Sequence, residues 1–219
     1  MNTNEPGLLH NEHIHLREQV VLSDNWYTLR KITFDYRRKN GTWETQSREA
    51  YDRGNGATIL LHNPAADTVV LTRQFRLPTF VNGNATGMLI ETCAGLLDDE
   101  HPDAAIIRET EEETGYRLTA VEKVLEAYMS PGSVTERLYF YLAEYSASTE
   151  RLAGGGIEEE EIEVLELPLT QALAMVATGE IQDGKTIMLL QHLRLRQLTK
   201  LFAHHSYLEL SRTPLVTHQ

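Results

Sequence analysis

The chain has 219 residues, enough for one large domain or one domain with an appendage, and enough to bury a core without disulfide or metal staples. Hydrophobic residues make up 41% and charged residues 24%, an ordinary soluble balance that excludes wholesale disorder. With 32 acidic against 20 basic side chains the formal charge is −12, which argues against a reader of nucleic-acid backbones but not against an anionic small substrate, because a bound cation reverses the local sign. Cys93 is the single cysteine, so no internal disulfide can form, and a reducing cytoplasm is the expected compartment. Residues 1–16 lack the apolar core of a signal peptide, and no apolar run approaches bilayer length, so no membrane contact is expected.

Residues 1–18 read as a flexible segment, in which His10, His13 and His15 belong to a polar tail rather than a metal site. Residues 19–54 read as an N-terminal β region. There Ile32, Phe34 and Tyr36 alternate with polar residues, Asn40-Gly41 signals a hairpin, and residues 42–49 return as a strand. This antiparallel region is the expected contact between two copies of the chain. Further strands are expected at 57–61, 69–74, 88–93, 121–128, 138–145 and 162–167, with residues 64–68 turning a hairpin at Pro64 and Asp67. The triplet Gly154-Gly155-Gly156 reads as a flexible loop, and amphipathic helices are expected over 170–178, ended by Gly179, and over 186–202. The irregular mixture of strands and helices predicts an α/β sandwich with a mixed sheet over residues 55–204, followed by a tail, 205–219.

The informative stretch is GLLDDEHPDAAIIRETEEETG, residues 95–115. Pro102 suits the first turn of a helix and Gly115 its end. At about 100° per residue, Glu109, Glu112 and Glu113 share one side of that helix while Glu111 points away. That side also carries Ala105 and Ile106, so it is not simply the wet face. Partly buried like charges one turn apart repel and need an offset. Arg108, four residues before Glu112, supplies one positive charge. Carboxylate oxygens without thiolate or imidazole partners specify a hard divalent ion for the rest, Mg²⁺ with Mn²⁺ as a substitute. A solvated acidic helix laced with ion pairs is the alternative from charge alone.

The spacing Glu100-x7-Arg108-Glu109-x2-Glu112-Glu113-x-Gly115 resembles the Nudix box. Two departures stand out: Gly95 to Glu100 is one residue short, implying a tightened loop, and Thr110 occupies a usually apolar position. The segments Arg73-Gln74-Phe75-Arg76, Glu91-Thr92-Cys93-Ala94-Gly95 and Ser130-Pro131-Gly132, with the acidic run 158–161, are similar to the ADP-ribose and GDP-mannose pyrophosphatase branch of the Nudix hydrolases. Arg48-Glu49-x-Tyr51-Asp52-Arg53-Gly54-Asn55-Gly56, Gly83-Asn84, Gly179-Glu180-Ile181 and Asp183-Gly184-Lys185-Thr186 look nearest to the GDP-mannose enzymes. Ser47 departs from the lysine that those enzymes can carry there.

The resemblance implies an α/β/α Nudix sandwich, usually homodimeric through exchanged N-terminal strands. It also implies Mg²⁺-dependent hydrolysis of a nucleotide-sugar diphosphate: GDP-mannose to GMP and mannose 1-phosphate, with ADP-ribose to AMP and ribose 5-phosphate as the alternative. A nucleotide-sugar-binding regulator without turnover is the reading from a different class. Metal would be held by the Ala94 carbonyl, Glu109, Glu113 and Glu160, and the base would come from the same acidic loop, Glu158 first, with Glu159 and Glu161 as rivals. In an extended chain Glu158 and Glu160 share parity with Ile162 and Val164, so both point inward. Substrate contacts would be Trp26 on the base, Arg48 and Glu49 on the nucleotide, Arg76 on the diphosphate, Glu136 near the sugar, and Lys185. The alternative readings are a core tryptophan for Trp26, a surface salt bridge for Arg76, an exposed strand-end charge for Glu136 and a surface lysine for Lys185. Cys93 reads as a strand-core thiol.

Overall fold

A computed structural model describes residues 11–156 and 161–211, with residues 203–211 by backbone alone. The chain divides into two compact units, residues up to Asn55 with Ala127–Arg137, and Gly56–Glu126 with Leu138 onward.

In the first unit, β1 (Ile14–Asp24), β2 (Thr28–Arg37) and β3 (Trp43–Asp52) form an antiparallel sheet in that order. β1 begins at Ile14, earlier than expected, and His15 stacks on Trp43 at 4.2 Å between ring centroids, which removes it from a polar tail. The Asn40-Gly41 turn is present: Gly41 has φ 84°, and the Asn40 side-chain oxygen accepts from the Thr42 N–H at 3.1 Å. The alternation in β2 misleads about burial. Ile32 and Phe34 are half-buried and Tyr36 is exposed, whereas Asp35 is buried. The Arg17 guanidinium and the Thr45 hydroxyl, at 2.7 Å, satisfy that carboxylate, so a charge pair fills the place the pattern reserved for apolar side chains. The apolar Leu16, Val20, Val21 and Leu22 of β1 are exposed.

In the second unit, the sheet runs β10-β5-β4-β9-β8, with β6 paired to β5 and β7 to β4. The strands are β4 (Gly56–Asn63), β5 (Thr68–Phe75), β6 (Met88–Glu91), β7 (Cys93–Leu96), β8 (Glu122–Tyr128), β9 (Arg137–Glu144) and β10 (Glu163–Pro168). β4 lies parallel to β9 and antiparallel to β5 and β7, which makes the sheet mixed. The turn between β4 and β5 holds Asp67 at φ 50°, and Asn63 Oδ1 accepts from the Ala65 N–H at 3.1 Å. Four helices complete the fold: α1 (Leu77–Val81), α2 (Pro102–Thr114), α3 (Leu169–Thr178) and α4 (Gly184–Ser211).

The core follows from strand parity. Ala57, Ile59 and Leu61 of β4 join Ile106 of α2 in one buried cluster with Cys93, Tyr116 and Tyr141. The alternate residue Leu60 is also buried, on the side where α4 packs with Leu189, Leu190 and Leu193, and α3 packs beside α4. Helices therefore cover both faces, the expected α/β/α sandwich. Two differences matter. The single strand expected over 88–93 is broken at Thr92, whose N–H leaves the ladder for the Thr186 hydroxyl at 2.7 Å. Helix α4 continues through Ser211, past the expected end of the domain. Among the described residues, no helix is long and apolar enough to cross a membrane.

The Arg17 guanidinium and the Thr45 hydroxyl hold the Asp35 carboxyl below its usual range. A depressed carboxyl stabilises the fold above its unfolded pKa of about 3.9 and loses that contribution as pH falls through the lower folded value. Asp35→Asn is expected to lower the thermal midpoint at pH 7, with the gap to the parent chain closing as the pH is brought below about 4. Scanning calorimetry across that range checks it.

Candidate active site

The site starts with the packing of α2 on β7. His101 caps the helix, its ring accepting from the Asp103 N–H at 3.4 Å, Pro102 opens it and Gly115 closes it at φ 77°. The shortened approach from Gly95 is absorbed by Asp98 and Asp99, both left-handed at φ 43° and 69°, and by a Glu100 N–H to Leu97 carbonyl bond of 2.7 Å. Asp tolerates that conformation better than most residues. The tight loop still delivers Glu100 to Arg108 at 3.2 Å.

Arg108 serves more carboxylates than the spacing implied. It pairs with Glu112 at 2.9 Å, Glu109 at 3.0 Å and Glu100. Burial works against its charge, yet Glu109, Glu100 and Glu112 outweigh it and raise its pKa. Glu111 turns away, as expected, and pairs with Arg117 at 2.9 Å. Glu113 is buried, with 4% of the residue exposed, and the Glu109 side chain is 17% exposed. Thr110 fits its apolar surroundings because its hydroxyl donates to the Ile106 carbonyl at 2.6 Å.

Glu109 lies against β7 so closely that a Cβ on Gly95 would overlap its carboxylate. Cys93, two residues earlier on the same strand face, is buried. Burial first, then the Glu113 and Glu109 carboxylates, push its thiol well up, away from the thiolate form. The donors gathered here are carboxylate oxygens beside the Ala94 backbone, a set that fits a hard divalent cation. Among the described residues no three acidic, histidine or cysteine side chains converge as a complete ion site. Glu158, Glu159 and Glu160 lie outside the described residues. The root of their loop is tied to the last turn of α2: the Gly155 N–H donates to the Glu113 carbonyl at 2.8 Å and the Gly156 N–H to the Glu112 carbonyl at 3.1 Å. Glu161 is exposed.

A second cluster forms where β6 ends. Glu91 accepts from Arg76 Nε at 2.6 Å and from Lys185 Nζ at 2.5 Å, and Lys185 also meets Asp183 at 3.0 Å. Arg76 and Lys185 thus share one partner that sequence reasoning gave no role. The available signal was an acid at the end of the apolar run Met88-Leu89-Ile90. Lys185 is not a surface lysine, with 12% of its side chain exposed, while Arg76 keeps 39%.

The remaining candidates belong to the first unit. Trp26, at the β1–β2 turn, is 85% exposed, which excludes a core tryptophan. Arg48 and Glu49 are exposed on β3, where Arg48 donates to the Ser47 carbonyl at 2.8 Å and to Gln46 at 3.0 Å. Glu136 is not an exposed strand-end charge: its side chain is largely buried and pairs with Arg53 at 3.3 Å. Arg53 also lies over the Tyr27 ring, 5.5 Å from its centroid.

Comparison with known proteins decides the family. A NUDIX domain model matches residues 52–190, and a model of the GDP-mannose pyrophosphatase NudK N-terminal domain matches residues 13–51. The chain belongs to the NUDIX family. Its relatives include proteins named GDP-mannose pyrophosphatase from Citrobacter koseri, 62% identical over 82% of this chain and 94% of the relative, and from Pectobacterium atrosepticum, 60% identical over 84% and 95%. A third, from Escherichia coli, is 57% identical over 85% of this chain and 98% of its own. A crystal structure of an ADP compounds hydrolase shares the fold, with a TM-score of 0.67 over 86% of this chain and 96% of that one, at 16% identity.

The contact at Gly95 yields a prediction. Gly95→Ala forces the Glu109 carboxylate away from β7, and a displacement of about 1 Å within an active site costs on the order of 100-fold in rate. Steady-state turnover should fall by about that much while the circular dichroism spectrum is kept.

Proposed function

We propose that the chain hydrolyses the diphosphate bond of a nucleotide sugar, with GDP-mannose as its substrate and GMP and mannose 1-phosphate as products. The observation that carries this reading is the pair of carboxylates, Glu109 and Glu113, held one turn apart against β7 in a family member whose named relatives are GDP-mannose pyrophosphatases. The fold shared with the ADP compounds hydrolase, at 16% identity, does not select ADP-ribose.

The Ala94 carbonyl, Glu109, Glu113 and Glu160 would hold the divalent cation, Mg²⁺ with Mn²⁺ able to substitute. Bound there, it would draw charge from the diphosphate oxygens and make the attacking water more acidic. The rest is work for this chain's own side chains. Glu158, or Glu159, takes the proton as the water oxygen attacks one phosphorus and the bridging P–O bond breaks. Arg76 and Lys185 complement the charge on the phosphoryl oxygens, and a guanidinium suits such oxygens because its donors are fixed in a plane. Trp26 stacks on the base, Arg48 and Glu49 contact the nucleotide, and Glu136 contacts the sugar end. A phosphoryl transfer of this kind needs positioning and charge stabilisation rather than a covalent nucleophile.

The exposed apolar residues of β1 support a homodimer formed through the N-terminal sheet, since an exposed row of aliphatic side chains on a strand is a template for association. The single buried thiol, Cys93, supports a cytoplasmic setting.

Three measurements test the reading. With Mg²⁺, GDP-mannose should show a higher kcat/KM than ADP-ribose across a panel of nucleotide sugars, and the reverse order would reject the substrate. Chelation should abolish turnover and added Mg²⁺ restore it. Glu113→Gln should lower kcat by about 1,000-fold or more with the fold retained, whereas a regulator without turnover would bind GDP-mannose and release no product from either form.

A further inference from the structure

Glu91 is a buried charge of the second unit that no step of the proposed chemistry uses. It is the last residue of β6, and 3% of it is exposed. A carboxylate so placed must be paired, and it is paired twice, one oxygen to each of two cations carried by distant parts of the chain.

Each cation is also fixed through its backbone. Arg76 stands at the start of α1, where its carbonyl accepts from the Thr79 N–H at 3.0 Å and its own N–H donates to the Gly87 carbonyl at 2.8 Å. Lys185 lies in the first turn of α4. Asp183 caps that turn, accepting from the Thr186 N–H at 3.0 Å and the Thr186 hydroxyl at 2.6 Å, while that hydroxyl accepts from the Thr92 N–H. The start of α4 is thereby fastened to the residue next to Glu91.

Stability alone is a poor reason for this arrangement. Buried ionic networks are often no better for stability than apolar side chains of equal volume. What the network does provide is position. Arg76 meets Glu91 through Nε while 39% of its side chain stays exposed, so the guanidinium keeps further donors for a partner on the open side of the cluster. Two cations face two carboxylates, so the cluster is balanced before an anion arrives and its donors need not rearrange when one does.

We propose that Glu91 is a positioning residue whose two oxygens hold Arg76 and Lys185 side by side as a paired-cation seat for one phosphate group of the substrate. The inference rests on the diphosphatase reading above and deepens it.

The test is Glu91→Gln, close in size but uncharged, compared with Lys185→Gln and the double variant. Glu91→Gln should lower kcat at least tenfold with KM changed less than threefold, and the combined loss in kcat/KM should fall short of the product of the single losses by at least fivefold. A residue with a merely structural role would lower the thermal midpoint and leave kcat per folded molecule unchanged. That outcome, or losses that multiply, overturns the proposal. Should the variant fail to fold, the unaltered protein still decides: on titration with inorganic pyrophosphate, the side-chain ¹⁵N resonances of Arg76 Nε and Lys185 Nζ should shift together, and no movement of either overturns the proposal. That titration needs no turnover, so an unaltered protein that cleaves no nucleotide sugar would reject the diphosphatase reading while leaving the seat to be read by itself.

Discussion

The constraint on which the site depends is the close approach of one strand to one helix. Alternate residues on a strand face are about 6.6 Å apart, and residues four apart on a helix rise about 6 Å. The two steps nearly match, so Gly95 and Cys93 on β7 meet Glu109 and Glu113 on α2. The match is workable only because Gly95 brings no side chain and because the other neighbours are neutral. Thr110 turns its hydroxyl back into its own helix, and Cys93 stays protonated. Arg108 remains on the outer side, where three carboxylates compete for it.

The break at Thr92 lets both faces of the sheet act at one place. Cys93 and Gly95 turn towards α2, while Thr92 reaches the opposite face. There its N–H binds the Thr186 hydroxyl, and its own hydroxyl shares a 2.8 Å hydrogen bond with that of Thr58. The Thr58 hydroxyl also donates to the Cys93 carbonyl at 3.0 Å. Five residues, from Glu91 to Gly95, thus join the start of α4 on one side to the acidic turn of α2 on the other. An unbroken strand would have kept the Thr92 N–H in the ladder and left α4 without that anchor.

What was legible in the sequence was local. Pro102 and Gly115 bound α2, the Arg108–Glu112 pair lies one turn apart, and Glu111 faces away, all from spacing along a single helix. The mixture of strands and helices pointed to the sandwich, and the apolar run at 57–61 marked the buried part of β4. What escaped depends on partners far apart in the chain. Asp35 is buried by Arg17, 18 residues away, and Glu91 by Lys185, 94 residues away, and no periodicity carries such pairs. The split of β6 from β7 escaped for the same reason, because its cause is a threonine on α4. The spacing of the acidic box led to the family but not to the loop that shortens it. Only the left-handed Asp98 and Asp99 show how one missing residue is made up without losing the Glu100–Arg108 pair.

The two clusters of the second unit differ in charge, and the difference suits them to different partners. At α2, Glu100, Glu109 and Glu112 share the one guanidinium of Arg108, a local surplus of negative charge that a cation would relieve. At the end of β6, Arg76 and Lys185 face Glu91 and Asp183, a balance that holds with nothing bound. The first arrangement gains most from a divalent ion, since one such ion cancels two carboxylates at the cost of ordering a single partner. The second gains most from an anion that reaches the open edge of Arg76 without displacing its buried bond to Glu91. A diphosphate carrying a divalent cation satisfies both requirements at once, whereas either ion alone would leave one of the two clusters as it was.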